Sequence, residues 1–199
     1  MKKLFVSVIT MVIGVFFIAA VSQAITIGFD PVGQDVVLGN SASVNLVISG
    51  LGDNTAPSLG AFDLNISYDP TILSLTTVGF GNQLDIWGLG GNPQGVSNVG
   101  PGVENIFEIS LDLPSDLEDF QSGSFTLASL SFNTLAYGTS FLNITINDLS
   151  DAWGDPLNSS TTNGSINVTG STPVPEPATF LLVASGLIGM GCLRKRKIS

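Results

Sequence analysis

Phe62-Asp63-Leu64-Asn65-Ile66-Ser67-Tyr68-Asp69-Pro70 alternates apolar and polar residues from Phe62 to Tyr68 and then breaks at a turn pair. Successive side chains of a strand point to opposite sides. Phe62, Leu64, Ile66 and Tyr68 therefore share one face and Asp63, Asn65 and Ser67 the other, the pattern of a sheet covered on one side. Upstream, Val44, Leu46 and Ile48 alternate with Ser43, Asn45 and Ser49, and residues 25–29 and 34–38 read as two short strands broken at Pro31. Downstream, residues 72–78 offer another strand. The Gly-rich stretch 79–102 predicts an irregular loop with a short strand around residues 84–87, a length that usually serves function or stays disordered. Phe107, Ile109 and Leu111 alternate with Glu108, Ser110 and Asp112 and predict a strand with the apolar set inward. Ser115 with Glu118, preceded by Pro114, reads as a capping box opening one or two helical turns. Inward parity is odd at Phe125 and Leu127 and even at Leu130 and Phe132, so a bulge is expected near Ala128 or Ser129. Leu142, Ile144 and Ile146, then Ile166 and Val168, complete the set. Turns at short, regular spacing predict an all-β fold, a sandwich of two antiparallel sheets.

The chain has 199 residues, sixteen Asp and Glu against six Lys and Arg, no His, and a formal net charge of −10. All six cations stand near the two ends, and every carboxylate except Glu176 falls within residues 25–170. No salt bridge can form inside that domain. Each carboxylate must be solvated, hydrogen-bonded to a neutral donor, or bound to a metal ion. Nucleic acid, anionic lipid and phosphate are poor partners for such a surface, whereas divalent cations and neutral sugars suit it. Without His, and with Cys and Lys confined to the ends, Ser-His-Asp and Cys-His nucleophiles and His- or Cys-based zinc sites are excluded.

Residues 1–24 carry Lys2 and Lys3, a long apolar core, and small residues at Ser22 and Ala24, which predicts a secretory signal peptide cleaved after Ala24. At the other end a linker, residues 171–177, contains Val174-Pro175-Glu176-Pro177. Sixteen uncharged residues, 178–193, and then Arg194-Lys195-Arg196-Lys197 within the tail 194–199 follow it. The prolines hold the approach extended. Sixteen helical residues cover about 24 Å, short of a ~30 Å hydrocarbon core, so the predicted transmembrane helix is a transient anchor with its basic end cytoplasmic. The only cysteine, Cys192, lies in that span, so no intramolecular disulfide is available. This order of motif, short apolar helix and basic cluster resembles the PEP-CTERM sorting signal of Gram-negative bacteria. The resemblance implies an exosortase as partner, an inner-membrane-anchored precursor, and release to the cell surface.

A second resemblance covers most of residues 25–169. Leu59-Gly-Ala-Phe-Asp-Leu-Asn-Ile-Ser-Tyr-Asp-Pro70, Ile72-Leu-Ser-Leu75, Ser124-Phe-Thr-Leu-Ala-Ser-Leu-Ser-Phe132, Asp151-Ala-Trp-Gly-Asp-Pro-Leu157 and Asn163-Gly-Ser-Ile166 look like the cohesin-like domain. That implies a jelly-roll sandwich of about nine strands related to carbohydrate-binding modules, in a family whose cohesins proper bind dockerins through one sheet face. Fold transfers across such a likeness more readily than function.

Within the domain, Asp116, Glu118 and Asp119 are the available acid/base carboxylates, but a helix N-terminus accounts for them. Asp148, Asp151 and Asp155, spaced around a Gly-containing turn, are candidate ligands for Ca²⁺, although the spacing is not that of an EF-hand. Trp87, with Asn82, Gln83, Asn92 and Gln94 nearby, and Trp153 are candidates for stacking on sugar rings; burial against the sandwich edge is the competing role. The expected protein is a non-enzymatic, exported surface or extracellular-matrix protein associated with exopolysaccharide or biofilm, its partners being polysaccharide or another matrix protein. The alternatives are a carbohydrate-binding module and, third, a glycan-cleaving enzyme.

Overall fold

The computed structural model describes residues 24–170; nearly all of the expected signal peptide 1–24, and the expected linker 171–177, transmembrane span 178–193 and tail 194–199, lie outside the described residues. The strands are β1 (Ile25–Asp30), β2 (Gly33–Val37), β3 (Ser41–Ser49), β4 (Leu59–Ser67), β5 (Leu73–Phe80), β6 (Gln94–Gly100), β7 (Val103–Ile109), β8 (Ser124–Thr134), β9 (Gly138–Asp151), β10 (Ser159–Thr162) and β11 (Gly164–Thr169), with one helix, α1 (Pro114–Phe120), between β7 and β8. They form two sheets, ordered β10-β1-β3-β8-β5 and β2-β11-β9-β4-β7-β6. Among the described residues, only β1 with β10 and β2 with β11 pair in parallel. The break expected at Pro31 is where the chain leaves the first sheet for the second.

The alternating residues meet between the sheets. Ile27, Leu46 and Ile48 from the first sheet and Phe62, Leu64 and Ile66 from the second are essentially inaccessible, as are Ile106, Leu130, Phe132 and Ile166. Burying such side chains contributes about 1.5–3 kcal/mol each, and this closes a domain that has no internal ion pair to rely on. Between Leu46 and Val47 the register against β8 shifts so that Leu127 is the extra residue, and Leu127 and Ala128 are both buried. The expected bulge is present, one residue earlier than parity suggested.

Three expectations need correction. First, β7 faces the other way: Glu104, Ile106 and Glu108 point inward, while Ile109 is 46% and Leu111 65% exposed. Its register decides this. Phe62 lies opposite Glu108, Leu64 opposite Ile106 and Ile66 opposite Glu104. Residues directly opposite in an antiparallel pair share a face, so the strongly apolar β4 imposes its parity on β7. Second, the ordered strand in the Gly-rich stretch is β6, joined to β7 at Pro101-Gly102, and not residues 84–87. Gly102 takes φ +70°, where a Cβ would meet the Tyr68 carbonyl oxygen at 2.3 Å. Third, no capping box forms. Leu113 is the N-cap residue without a side-chain cap bond, and Pro114 opens the helix, whose interior then includes Ser115.

Hydrogen bonds hold residues 84–92 against the chain after β7. The Leu84 carbonyl accepts from Asn92 Nδ2 at 2.8 Å and Ser110 Oγ at 2.6 Å, and the Ile86 amide donates to Asp112 Oδ2 at 2.7 Å. Gln121, at the end of α1 and only 1% exposed, accepts from the Leu59 amide at 2.5 Å and donates to the carbonyls of Leu59 and Gln83 at 3.0 Å each. That one side chain ties the helix, β4 and the Gly-rich segment together.

Candidate binding rim and outer face

Both tryptophans converge on α1. Trp87 Nε1 donates to Asp116 Oδ2 at 3.0 Å, and its ring meets Phe120 edge-on at 5.4 Å between centroids. Trp153 Nε1 donates to Glu118 Oε1 at 2.7 Å. The two indoles stay 53% and 68% exposed, so neither seals the sandwich edge. Their orientation is fixed by carboxylates while their apolar surface faces water. Asp116 and Glu118, which the sequence assigns to helix-end electrostatics, act here as indole acceptors.

Asp151 builds the turn that carries Trp153. Its Oδ1 accepts the amides of Trp153 and Asp155 at 2.9 Å each, while Gly154 turns at φ +86°. Asp148 instead lies exposed on β9 opposite Asp63. Among the described residues no group of three or more carboxylates, His or Cys converges as a metal site would, so Asp148, Asp151 and Asp155 do not come together. Asp151 serves the backbone of its own turn. Asn82 and Gln94 are exposed near Trp87, whereas Gln83 and Asn92 bond within the fold: Gln83 accepts the Ser122 amide at 2.9 Å, and Asn92 Oδ1 the Leu111 amide at 3.1 Å.

A sequence reading passes over the outer face of the second sheet. Across β7, β4 and β9, Asn105 Nδ2 donates to Asp63 Oδ1 and, at 3.0 Å, to Asn65 Oδ1; Asn147 Nδ2 donates to Asp63 Oδ1 at 2.9 Å, and Asn147 Oδ1 accepts from Asn65 Nδ2 at 3.2 Å. Beside this amide network stand the outward Phe107 and Ile109, which with Ala61, Asp63 and Asp148 line a shallow cavity of about 130 Å³. Ile109 and Trp153 also line a neighbouring cavity of about 210 Å³, which joins the outer face to the rim. The signal for this patch was present in the sequence as the alternation of β7, read with the wrong parity.

The inward glutamates differ in their partners. Glu104 accepts from Asn98 Nδ2 at 2.7 Å and shares a hydrogen bond with Tyr68. Burial raises the Tyr68 hydroxyl pKa, opposed by a backbone bond to Leu75 and reinforced by the Glu104 charge. Glu108 is 2% exposed; its Oε1 accepts from Asn92 Nδ2 at 3.2 Å and its Oε2 has no partner. Burial pushes the Glu108 carboxyl upward, with the Asn92 bond opposing and the Asp85 charge adding. Four residue steps along the strand separate the two glutamates by roughly 13 Å, too far for the carboxylate pair of a glycosidase.

The fold is that of cohesins. The domain is similar to the sixth cohesin of scaffoldin B from Acetivibrio cellulolyticus, solved in complex with a dockerin, at TM-score 0.60 and 20% identity over 74% of this chain and 100% of that one. It is similar also to the seventh type I cohesin from Pseudobacteroides cellulosolvens, at TM-score 0.57 and 16% identity over 77% and 97% of the two chains. A non-cellulosomal cohesin from the archaeon Archaeoglobus fulgidus matches at TM-score 0.54 and 18% identity, over 75% and 92%. No curated protein sequence matches the chain. Residues 173–197 match the PEP-CTERM protein-sorting motif. The chain thus combines a cohesin-like sandwich with a sorting motif that indicates an exported, membrane-anchored precursor destined for the cell surface.

Proposed function

We propose that this chain is a non-catalytic binding module, released to the extracellular matrix by an exosortase acting near Glu176, that takes a protein partner on the outer face of its second sheet. The observation that carries the reading is the outward parity of β7. It turns the half-buried Phe107 and the exposed Ile109 outward, with the exposed Leu111 just beyond the strand, beside a hydrogen-bonded amide network, the mixture of apolar anchors and polar rim that protein interfaces use. Charge supplies the partner's chemistry. A domain with fifteen carboxylates, the sixteen of the chain less Glu176, of which only Glu104 and Glu108 are buried, and with no cation favours a partner bearing Lys and Arg. The dockerin partner of the Acetivibrio cohesin lends this support by analogy of fold.

Polysaccharide is the second reading, and one feature favours it: two exposed indoles whose N–H groups are anchored, leaving ring faces free to stack on sugars. In-cell photo-crosslinking from Ile109 and a glycan-binding assay separate the readings. Crosslinks to a matrix protein that disappear in Phe107→Asp support the first. Glycan binding lost in Trp87→Ala or Trp153→Ala, without such crosslinks, supports the second.

A further inference from the structure

We propose that the cavity beside Glu108 and Asp85, at the open edge of the sandwich, binds a single Ca²⁺ ion. The cavity holds about 200 Å³, and Asp85, Gly90, Gly91, Asn92, Gln94 and Glu108 stand in its wall. The carboxylate of Glu108 is buried, and its Oε2 has no hydrogen-bond partner. A buried carboxylate oxygen without a partner costs several kcal/mol, and the nearby Asp85 charge adds to that cost.

Three neutralising groups are conceivable. A protein cation is excluded, because residues 25–170 contain no Lys, Arg or His. A proton on Oε2 would remove the Glu108 charge but leave the Asp85 charge in the same cavity without a counter-ion. A hard divalent cation satisfies the oxygen and offsets both charges at once.

The surroundings suit calcium. Asp85 accepts the amides of Leu89 at Oδ1, 2.9 Å, and of Gly90 at Oδ2, 2.8 Å, which leaves each oxygen a free lone pair. The same bonds wrap Gly90 and Gly91, both at positive φ, around the cavity, so that backbone rather than side chain forms that part of its wall. Two carboxylates, the Gln94 side-chain amide and several waters of about 30 Å³ each fit the space, and this irregular set of oxygens is one that Ca²⁺ accepts and the strictly octahedral Mg²⁺ does not. This site shares no residue with the Asp148-to-Asp155 turn and does not depend on what the outer face binds.

The test uses the full chain in detergent, stripped with EDTA and titrated with CaCl₂ in a calorimeter. One binding event per chain is expected, with a melting temperature raised by about 5 °C when calcium stands a hundredfold above Kd. Glu108→Gln should lower the affinity at least about tenfold, and its calcium-free form should melt no lower than the calcium-free wild type, because an unpaired charge has gone. Asp85→Asn, which keeps one acceptor for the loop, should weaken binding by an independent route. The double variant Asp148→Asn, Asp155→Asn should bind as wild type does. The proposal is overturned if the wild type gives no heat and no shift in melting, if Glu108→Gln and Asp85→Asn both bind undiminished, or if binding is lost in the double variant instead.

Discussion

Trp153 donates its indole N–H to Glu118 Oε1 at 2.7 Å, so a turn after β9 is anchored to a helix thirty-five residues earlier in the chain. The bond holds an aromatic face in water at a fixed angle, while Trp87 is held by Asp116 on the same helix. Glu118→Ala should release the Trp153 ring. In a Trp87→Phe background its fluorescence anisotropy should fall, whereas Glu118→Gln, which keeps an acceptor oxygen, should preserve it. Because the bond is exposed, the melting temperature should move by less than about 3 °C in either variant. Unchanged anisotropy in Glu118→Ala would mean that the rim is not organised by this bond.

Gln121 should be the opposite case. Replacing it with Leu keeps the bulk but leaves the Leu59 amide and two carbonyls without partners in a buried setting. The loss should be about 2–4 kcal/mol in urea unfolding, with an unaltered m-value.

Gly60 sits where β4 meets the end of β9, and a Cβ there would lie 2.3 Å from the Asp151 carbonyl oxygen. Gly60→Ala should force the backbones apart, destabilise by roughly 2–4 kcal/mol and disturb the Trp153 turn. Gly79→Ala, which meets nothing within 4 Å, should stay within about 1 kcal/mol. Equal effects from the two would contradict the packing described between β4 and β9.

The Asp69 carboxylate accepts both the Thr71 hydroxyl, at 2.6 Å, and the Thr71 amide, at 2.8 Å, and these bonds hold its pKa below the usual carboxylate value. A depressed folded-state pKa stabilises above the unfolded value, near 3.8, and that contribution is lost as the pH falls through the lower folded value. Thr71→Val removes the hydroxyl, the larger cause. A carboxyl-carbon NMR titration should then show Asp69 moving up toward its ordinary value, with a correspondingly smaller loss of stability on acidification.

The two-sheet architecture was legible because Ala42 to Ile48 in β3, Phe62 to Ile66 in β4, Leu142 to Ile146 in β9 and Ile166 to Val168 in β11 place an apolar residue at every second position. The parity of β7 was not, because Val103-Glu-Asn-Ile-Phe-Glu-Ile109 offers apolar residues on both faces, and only its pairing with β4 decides which set is buried. That inversion concealed both the outer-face patch and the buried Glu108. β6 was missed because its Gly-Val-Ser-Asn-Val sequence lacks alternation and is a strand by virtue of its neighbour, although Pro101-Gly102 marked the turn. The rim was half visible. Trp87, Trp153, Asp116 and Glu118 were all singled out, but nothing in their spacing announces that each indole meets a carboxylate on α1.

The claim on which the rest depends is that the sandwich is delivered outside the cell and parted from its tail. Intact-mass measurement of the protein recovered from the cell exterior tests it most directly. The account predicts a chain beginning at Ile25 and ending near Glu176, without residues 178–199; recovery only from the inner membrane, with Arg194 to Lys197 still attached, would contradict it.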